Sequence, residues 1–304
     1  MKVVFAAGLA CAVSLVVAGC AATPEQPRSQ SRSYYSPAVR ATPSGLTAEA
    51  SVFEGYMRRA RGIDASFSGP AEVSEALQTG AAGEPRQLES GMIAYAAVAA
   101  LQEPRFVDGL RGSRADRGDL ARRLASDPAY ALELPGGEAA AARAAGALAS
   151  QGEALRAQGL KVKRAAYSVQ HQAWSKRNVP DPRGRLARVK QLSSEPMRGG
   201  EDAARLYAAM AEGGRRGGAA SPAVTRAVAV AALNVLGQEG RGRALMSEPR
   251  TASCLRIAKL NLYQCLAAAG PQYEDIFCLG EHAMAETGSC VADATRASRV
   301  SYRR

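Results

Sequence analysis

The sequence predicts an all-α protein, an irregular helical bundle with a disulfide-stapled antiparallel helical hairpin near its C terminus. Aromatic residues make up only 5% of the 304 residues, whereas alanine makes up about a fifth. Cores of Ala, Leu and Val with few rings are typical of packed helices, while sandwiches and barrels use β-branched and aromatic residues. From Thr47 onward apolar residues recur at helical spacing, and no alternating β-branched run is long enough for a strand.

Caps, apolar faces and stops predict the individual helices. Thr47 is a candidate N-cap for a helix whose apolar face includes Phe53 and Met57 and which ends at Gly62. Pro70 suits the first turn of the next helix. Further helices are predicted at 86–102, 117–126, 183–193, 201–212, 222–236, 252–269 and 272–286.

The segment between Pro135 and Pro180 is long enough for one helix of about 40 residues. Within 145–173, large residues recur every seven positions and small ones follow four positions later: Leu148, Leu155, Val162 and Val169, then Gly152, Gly159, Ala166 and Ala173. Because small residues allow close helix approach, this seam predicts a tightly packed antiparallel neighbour or a homodimer. Alternatively, Gly152 and Gly159 break the segment into two helices. Both interpretations stay open.

The first residues resemble an export signal. Met1-Lys2 is a short positive start, and the 15 residues from Val3 to Val17 carry no charge. That run is too short to span a bilayer comfortably and has the length of a signal-peptide core. It ends in Val17-Ala18-Gly19-Cys20, which resembles the lipobox of bacterial lipoproteins.

This resemblance implies a signal peptide at 1–19 and a lipid on Cys20. Ala21, where retained inner-membrane lipoproteins carry Asp, implies sorting to the outer membrane. Residues 20–46 hold four prolines among polar residues, so they are predicted to be a disordered tether between the lipidated cysteine and the folded part.

Composition divides the remaining chain. Residues 213–221 are rich in glycine and arginine, which predicts a flexible basic joint. A helical domain is expected at 47–212 and a C-terminal helical unit at 222–291, followed by a disordered basic tail at 292–304.

Apart from Cys11 in the signal peptide and the lipidated cysteine, four cysteines remain: Cys254, Cys265, Cys278 and Cys290. In an exported chain they imply two disulfides. No Cys-x-x-Cys pair occurs, so neither zinc nor another metal is predicted. Cys254 and Cys265 lie about 16 Å apart along one helix, so they cannot bond to each other. Ala269-Gly270-Pro271 predicts a turn between antiparallel helices.

Residues at similar distances from that turn lie side by side in an antiparallel hairpin. This predicts disulfides between Cys265 and Cys278 and between Cys254 and Cys290. The spacing is similar to the twin-cysteine hairpins of the coiled-coil-helix class. In an unbroken helix Cys290 would lie about 120° away from Cys278, so we expect the helix to end near Thr287-Gly288 and the chain to turn inward there.

Candidate functional residues are sparse. Tyr167, His171 and Trp174 are spaced by four and three residues, which places them on one helical face. That face is a candidate for binding, with a half-buried packing face as the other interpretation. Glu281-His282 lies between two cysteines and is predicted to be exposed to solvent.

The sequence carries no motif for nucleotide, covalent haem or calcium binding, so no cofactor is predicted. Glu89-Ser90 resembles the Glu-Ser pair of lytic transglycosylases, which cleave the cell-wall glycan with a catalytic glutamate in a helical cleft. The Gly-Leu-Met-Gln motif that follows in those enzymes is missing here.

The net charge is +11, but no block of five basic residues occurs, and no nucleic-acid partner is predicted. Two basic clusters could meet peptidoglycan carboxylates or anionic lipid head groups, or else be solvated helix faces: Arg58, Arg59 and Arg61, and Arg183, Arg185, Arg188 and Lys190.

Together these patterns predict a lipid-anchored outer-membrane protein that faces the periplasm. It would act by binding or scaffolding in envelope assembly or maintenance, with peptidoglycan or another envelope protein as partner. The alternative is a peptidoglycan-active enzyme with a helical glycan-binding cleft.

Overall fold

A computed structural model describes residues 45–197 and 203–297. Its elements are α1 (Gly45–Arg61), α2 (Pro70–Ala81), α3 (Pro85–Ala100), α4 (Pro104–Arg111), α5 (Arg117–Ser126), α6 (Tyr130–Glu133), α7 (Gly137–Val169), α8 (Pro182–Ser194), α9 (Ala203–Glu212), α10 (Pro222–Val235), α11 (Glu239–Arg243), α12 (Pro249–Ala268), α13 (Gln272–Cys278), a π-helical segment (Leu279–Glu286) and α14 (Thr287–Asp293). These two ranges contain no strand, so the all-α prediction is confirmed. The sequence patterns missed the short helices α4, α6 and α11.

Prolines and polar caps fix many of the helix starts. Six helices begin with proline at a position where its missing N–H costs nothing: α2, α3, α4, α8, α10 and α12. The side chains of Asp181, Ser221 and Glu248 accept hydrogen bonds from backbone N–H groups in the first turns of α8, α10 and α12. Local sequence therefore sets where these helices begin.

The core is centred on α3. Residues 91–100 are buried on every side of this helix, which is expected of a helix surrounded by others. Helices α1, α7, α10 and α12 pack around it. No helix in the described ranges is both long and apolar enough to cross a membrane.

The heptad seam forms one helix up to Val169, and only its last member, Ala173, lies in the turn that follows. Helix α7 has 33 residues, about 50 Å at 1.5 Å per residue. Leu148, Leu155 and Val162 of the seam are fully buried. The antiparallel neighbour predicted for this seam is part of the same chain: the π-helical segment and α14 pack along α7.

Paired glycines make this contact close. A Cβ atom on Gly152 would lie 2.7 Å from the carbonyl oxygen of Gly288, and one on Gly159 would lie 2.7 Å from that of Gly280. Such distances are too short for any side chain, so the helix backbones touch directly. We call these four residues the glycine contact.

The C-terminal hairpin has the predicted disulfides. Cys265 is bonded to Cys278 and Cys254 to Cys290, with Cα–Cα distances of 5.6 and 5.7 Å. Helix α12 ends at Ala268, and the chain reverses before α13. The nested pairing inferred from the turn is confirmed.

The π-helical segment corrects one expectation. In an α-helix the 12 residues from Cys278 to Cys290 make about 3.3 turns, which places the two side chains on different faces. Hydrogen bonds from i to i+5 put more residues into each turn, so the π-helical segment brings the total to about three turns. Cys290 thus returns to the face that meets α12, and the chain continues as α14 without turning inward near Thr287-Gly288.

The glycine- and arginine-rich residues 213–216 lie against α7. A Cβ atom on Gly146 would be 2.6 Å from the carbonyl oxygen of Gly214, and the backbone N–H of Arg216 donates to Ala142. The Arg215 side chain pairs with the buried Glu103 at 2.6 Å. These contacts hold the segment in place, and the domain boundary there stays a prediction.

Three predicted regions fall wholly or mostly outside the described residues. They are the signal peptide at 1–19, the lipidated Cys20 with most of the tether, and residues 298–304 of the tail. The last tether residues, Gly45 and Leu46, belong to α1, and Leu46 is buried. At the start of the predicted tail α14 continues to Asp293, and Thr295 is buried.

The inner disulfide should contribute measurably to stability. Replacing Cys265 and Cys278 by Ala is expected to lower the free energy of unfolding by about 3 kcal/mol, because the unfolded chain loses a short closed loop. Denaturant titrations of this variant and of the wild type, both without reductant, measure this effect. With reductant, which breaks both disulfides, the difference should largely vanish. A variant as stable as the oxidised wild type would contradict the prediction.

Candidate ligand-binding pocket

A pocket of about 350 Å³ opens between α2, α8 and α13. Val73 and Leu77 of α2 and Val189 of α8 form its apolar wall. Its polar lining is Ser74, Gln78, Arg185, Arg188, Gln272 and Asp275. An apolar cavity with a few convergent polar groups is the usual form of a small-molecule site.

Helical spacing and a short backbone contact position these residues. Val73 and Leu77 are four residues apart and face the same side of α2, as Arg185 and Val189 do on α8. Before α8, the N–H of Val179 donates to the carbonyl of Gly270 at 2.9 Å. That bond ties Val179 and Pro180, which also line the pocket, to the hairpin turn.

A buried ion pair lies in the pocket lining. Arg185 donates through Nη1 to Asp275 and through Nη2 to the carbonyls of Leu266 and Ala269, the latter at 3.2 Å. The guanidinium therefore binds free carbonyls at the C-terminal end of α12. Burial raises the pKa of Asp275 to about 6, although Arg185 acts in the opposite direction.

Comparison with family models, curated proteins and solved structures finds no match. The properties of the pocket therefore rest on its own residues. Its ion pair, apolar wall and perturbed carboxyl pKa make it the leading candidate site.

A second, larger groove of about 910 Å³ runs along the loop between α1 and α2. Its carboxylates already have local partners: Asp64 accepts from the N–H of Ser66, and Glu72 accepts from the N–H and hydroxyl of Ser68. These hydrogen bonds lower the pKa of both carboxyl groups. These hydrogen bonds stabilise a turn and the start of α2, so the two carboxylates need no ligand to account for their positions.

The expected helical face of Tyr167, His171 and Trp174 is not formed. Helix α7 ends at Val169, whose carbonyl accepts from the N–H of Gln172 at 2.9 Å and from the hydroxyl of Ser175. These bonds close the helix, so His171 and Trp174 lie in the following turn. Binding by these residues stays a prediction without the shared face.

Tyr167 instead contacts Phe277 edge-on, with ring centroids 6.3 Å apart. The His282 ring also contacts Phe277 edge-on, at 6.4 Å between centroids, and its Nδ1 is 3.0 Å from a carboxylate oxygen of Glu286. Lys163 pairs with Glu281 at 2.8 Å. This surface is a set of local pairs around the π-helical segment. Within the described ranges no group of three or more metal-ligating side chains occurs.

Glu89, which resembles a transglycosylase glutamate, is buried and joins two helices. Its Oε1 accepts from the hydroxyl of Ser247 at 2.9 Å and from the backbone N–H of Glu248. Glu248 in turn caps α12. The hydrogen bonds of this carboxylate therefore connect α3 to the residues that precede α12.

The two predicted basic clusters divide among different contacts. In the first, Arg58 pairs with Glu54, Arg61 donates to its own helix, and Arg59 lines the larger groove. In the second, Arg185 and Arg188 line the pocket, while Arg183 is exposed and Lys190 lies near the Tyr263 ring. Helix geometry thus turns half of the second cluster toward the pocket.

Sequence reasoning missed Lys259, a fully buried lysine of α12. Its ammonium donates to the carbonyl of Ala81 at 2.8 Å. The signal was present, because Leu255, Lys259, Leu262 and Leu266 follow one core stripe. Burial lowers the pKa of Lys259 to about 8, with a smaller opposing effect of Glu84.

The buried lysine predicts a pH dependence of stability. Between pH 8 and 10.5 the unfolded state binds more protons at this residue, so its contribution to the free energy of unfolding rises with pH. Lys259→Met should remove this rise. At pH 7 the variant should be as stable as the wild type or up to about 2 kcal/mol more stable, because Ser193 still donates to the carbonyl of Ala81.

Denaturant titrations across this pH range measure the difference between variant and wild type. The control is Lys161→Met, which changes an exposed lysine of α7 and should give a constant difference. A constant difference for Lys259→Met as well would contradict the prediction.

Proposed function

We propose that this protein is an outer-membrane lipoprotein that faces the periplasm and acts by binding, without catalysis, in assembly or maintenance of the cell envelope. The observation that carries the binding role is the pocket between α2, α8 and α13. Its lining groups come from three helices, and a buried ion pair between Arg185 and Asp275 holds two of them, α8 and α13, together.

Two observations support the envelope location. The lipobox at Val17 to Cys20 supplies a lipidation site. The two disulfides of the hairpin are of a kind that persists in oxidising compartments and is rare in the cytosol. Exposed Arg183, Arg188 and Lys190 beside the pocket offer positive charge to anionic envelope components.

Lipidation is tested by metabolic labelling with an alkyne fatty acid. The wild type should incorporate the label and fractionate with the outer membrane, whereas Cys20→Ser should do neither. Cys11→Ser is the matched control, since that cysteine lies within the signal sequence and its variant should be labelled normally. A free, unmodified N terminus in the wild type would contradict the proposed anchoring.

Binding is tested by photo-crosslinking in intact cells. A photoreactive residue at position 188 should yield adducts with an envelope protein or with glycan fragments, identified by mass spectrometry. The control is position 122 on α5, which is also exposed and does not line the pocket. Equal adducts at both positions would contradict a binding role for the pocket.

The enzymatic alternative is tested separately with purified cell-wall sacculi. We expect no soluble glycan fragments after incubation with the protein. Release of such fragments would support the alternative and contradict the proposal.

A further inference from the structure

The outer disulfide, between Cys254 and Cys290, lies in an open groove between α12 and α14. The groove has a volume of about 550 Å³, and both cysteines of the bond belong to its lining. Its charged lining residues are Arg250 and Glu286, one cation and one anion. The lining therefore has no net charge that would repel an anionic reagent such as a thiolate.

The two cysteines of this bond differ in exposure. Cys290 is 4% exposed, whereas Cys254 is partly exposed. Cys254 lies within α12, where the hydrogen-bonded backbone is covered by neighbouring turns, so the exposed part of this residue is its Cβ and Sγ. A reagent in the groove therefore reaches the sulfur of Cys254 far more easily than that of Cys290.

The inner disulfide differs from the outer one in two respects. Cys278 is 0% exposed, and Cys265, although partly exposed, does not line the groove. The inner bond joins residues 13 positions apart, compared with 36 for the outer bond. Closing a shorter loop costs less entropy, so the inner bond re-forms more readily once it is broken. Both differences favour thiol exchange at the outer disulfide.

The nested arrangement allows the outer bond to open while the hairpin stays joined. The inner bond still connects α12 to α13. Asn261 of α12 also donates through Nδ2 to Glu286 of the π-helical segment at 3.0 Å. Only the covalent link between α12 and α14 is lost when the outer bond breaks.

We propose that the outer disulfide is a thiol-exchange site, which a dithiol reductant opens by attack on Sγ of Cys254. One thiolate of the dithiol bonds to this sulfur, and Cys290 leaves as a thiolate that takes a proton from water. The second thiolate of the dithiol then displaces Cys254, which is protonated in the same way. The protein gains two thiols, and the dithiol is oxidised by two electrons to its own disulfide. This site is independent of the proposed binding function.

The test uses the full lipidated protein, purified in detergent without denaturant, and dithiothreitol as the dithiol. Samples are quenched with N-ethylmaleimide at increasing times, and peptide mapping measures the alkylated fraction of each cysteine. We expect Cys254 and Cys290 to become alkylated at least about tenfold faster than Cys265 and Cys278. Equal rates for the two bonds, or faster opening of the inner bond, overturn the proposal.

A variant that fills the groove tests the route of attack. Ser253 is partly exposed and lines the groove, so Ser253→Phe should slow opening of the outer bond about fivefold and leave the inner bond unchanged. Ala267→Phe is the matched control, because Ala267 is exposed on the same helix and does not line the groove. Melting temperatures confirm that both variants are folded. An unchanged rate in folded Ser253→Phe overturns the proposal.

The sulfur that is attacked is identified with a monothiol. Brief treatment with 2-mercaptoethanol followed by an acid quench should give a mixed disulfide on Cys254, detected by mass spectrometry. An adduct found on Cys290 instead overturns the proposal. None of these outcomes depends on whether the chain is lipidated or on what it binds, so the proposed function and this site can fail separately.

Discussion

Gly159→Val is expected to lower the free energy of unfolding by about 3 kcal/mol. A Cβ atom at this position would lie 2.5 Å from the backbone nitrogen of Ala285, 2.7 Å from the carbonyl oxygen of Gly280 and 2.8 Å from Cβ of Met284. Two of these atoms belong to the backbone, so they cannot move without separating α7 from the π-helical segment. Gly159→Ala should have a smaller effect in the same direction.

Denaturant unfolding measures both variants. The matched control is Gly240→Ala in α11, because a Cβ atom there would meet no atom within 4 Å. Alanine favours a helix over glycine, so the control should be neutral or stabilising by up to about 1 kcal/mol. If Gly159→Val were as stable as the wild type, the glycine contact would not be as close as described.

Leu155→Asp should be still more disruptive, with a loss of about 4 kcal/mol or more. Leu155 is 0% exposed in the middle of α7, and an aspartate there would place an unpaired charge among apolar side chains. Thermal and denaturant unfolding report the loss, and poor expression of soluble protein would accompany it.

The control for Leu155→Asp is Ala157→Asp, two residues away on the exposed side of the same helix. It should change stability by less than about 0.5 kcal/mol. An unchanged melting temperature for Leu155→Asp would place the seam on the solvent side and contradict the packing of α7.

The hairpin could be predicted because its information is local. Ala269-Gly270-Pro271 marks the reversal, and the cysteines lie at matching distances on both sides of it. The seam of α7 was equally visible as a repeat, since small residues follow large ones at constant spacing. The segment that packs against this seam could not be predicted, because the glycines that the seam contacts lie more than 100 residues later in the chain.

The parts that escaped prediction depend on distant contacts or on unusual helix geometry. The 12-residue spacing of Cys278 and Cys290 signalled a departure from a regular α-helix, but it did not distinguish a π-helical segment from an inward turn. The pocket depends on the pair Arg185 and Asp275, which are 90 residues apart in the sequence. From the sequence alone Arg185 could therefore not be distinguished from an exposed arginine. The end of α7 at Val169 depends on the turn that contains Ser175.

The nested disulfides have a consequence for the order in which the chain matures. Of the four hairpin cysteines, Cys254 and Cys265 are synthesised first, and an oxidant acting on thiols as they emerge would join these two. That bond is not the native one, and it cannot form once α12 is helical, because the two sulfurs are then about 16 Å apart along the axis. Maturation therefore requires that α12 form before oxidation or that a thiol–disulfide exchange catalyst correct the first bond.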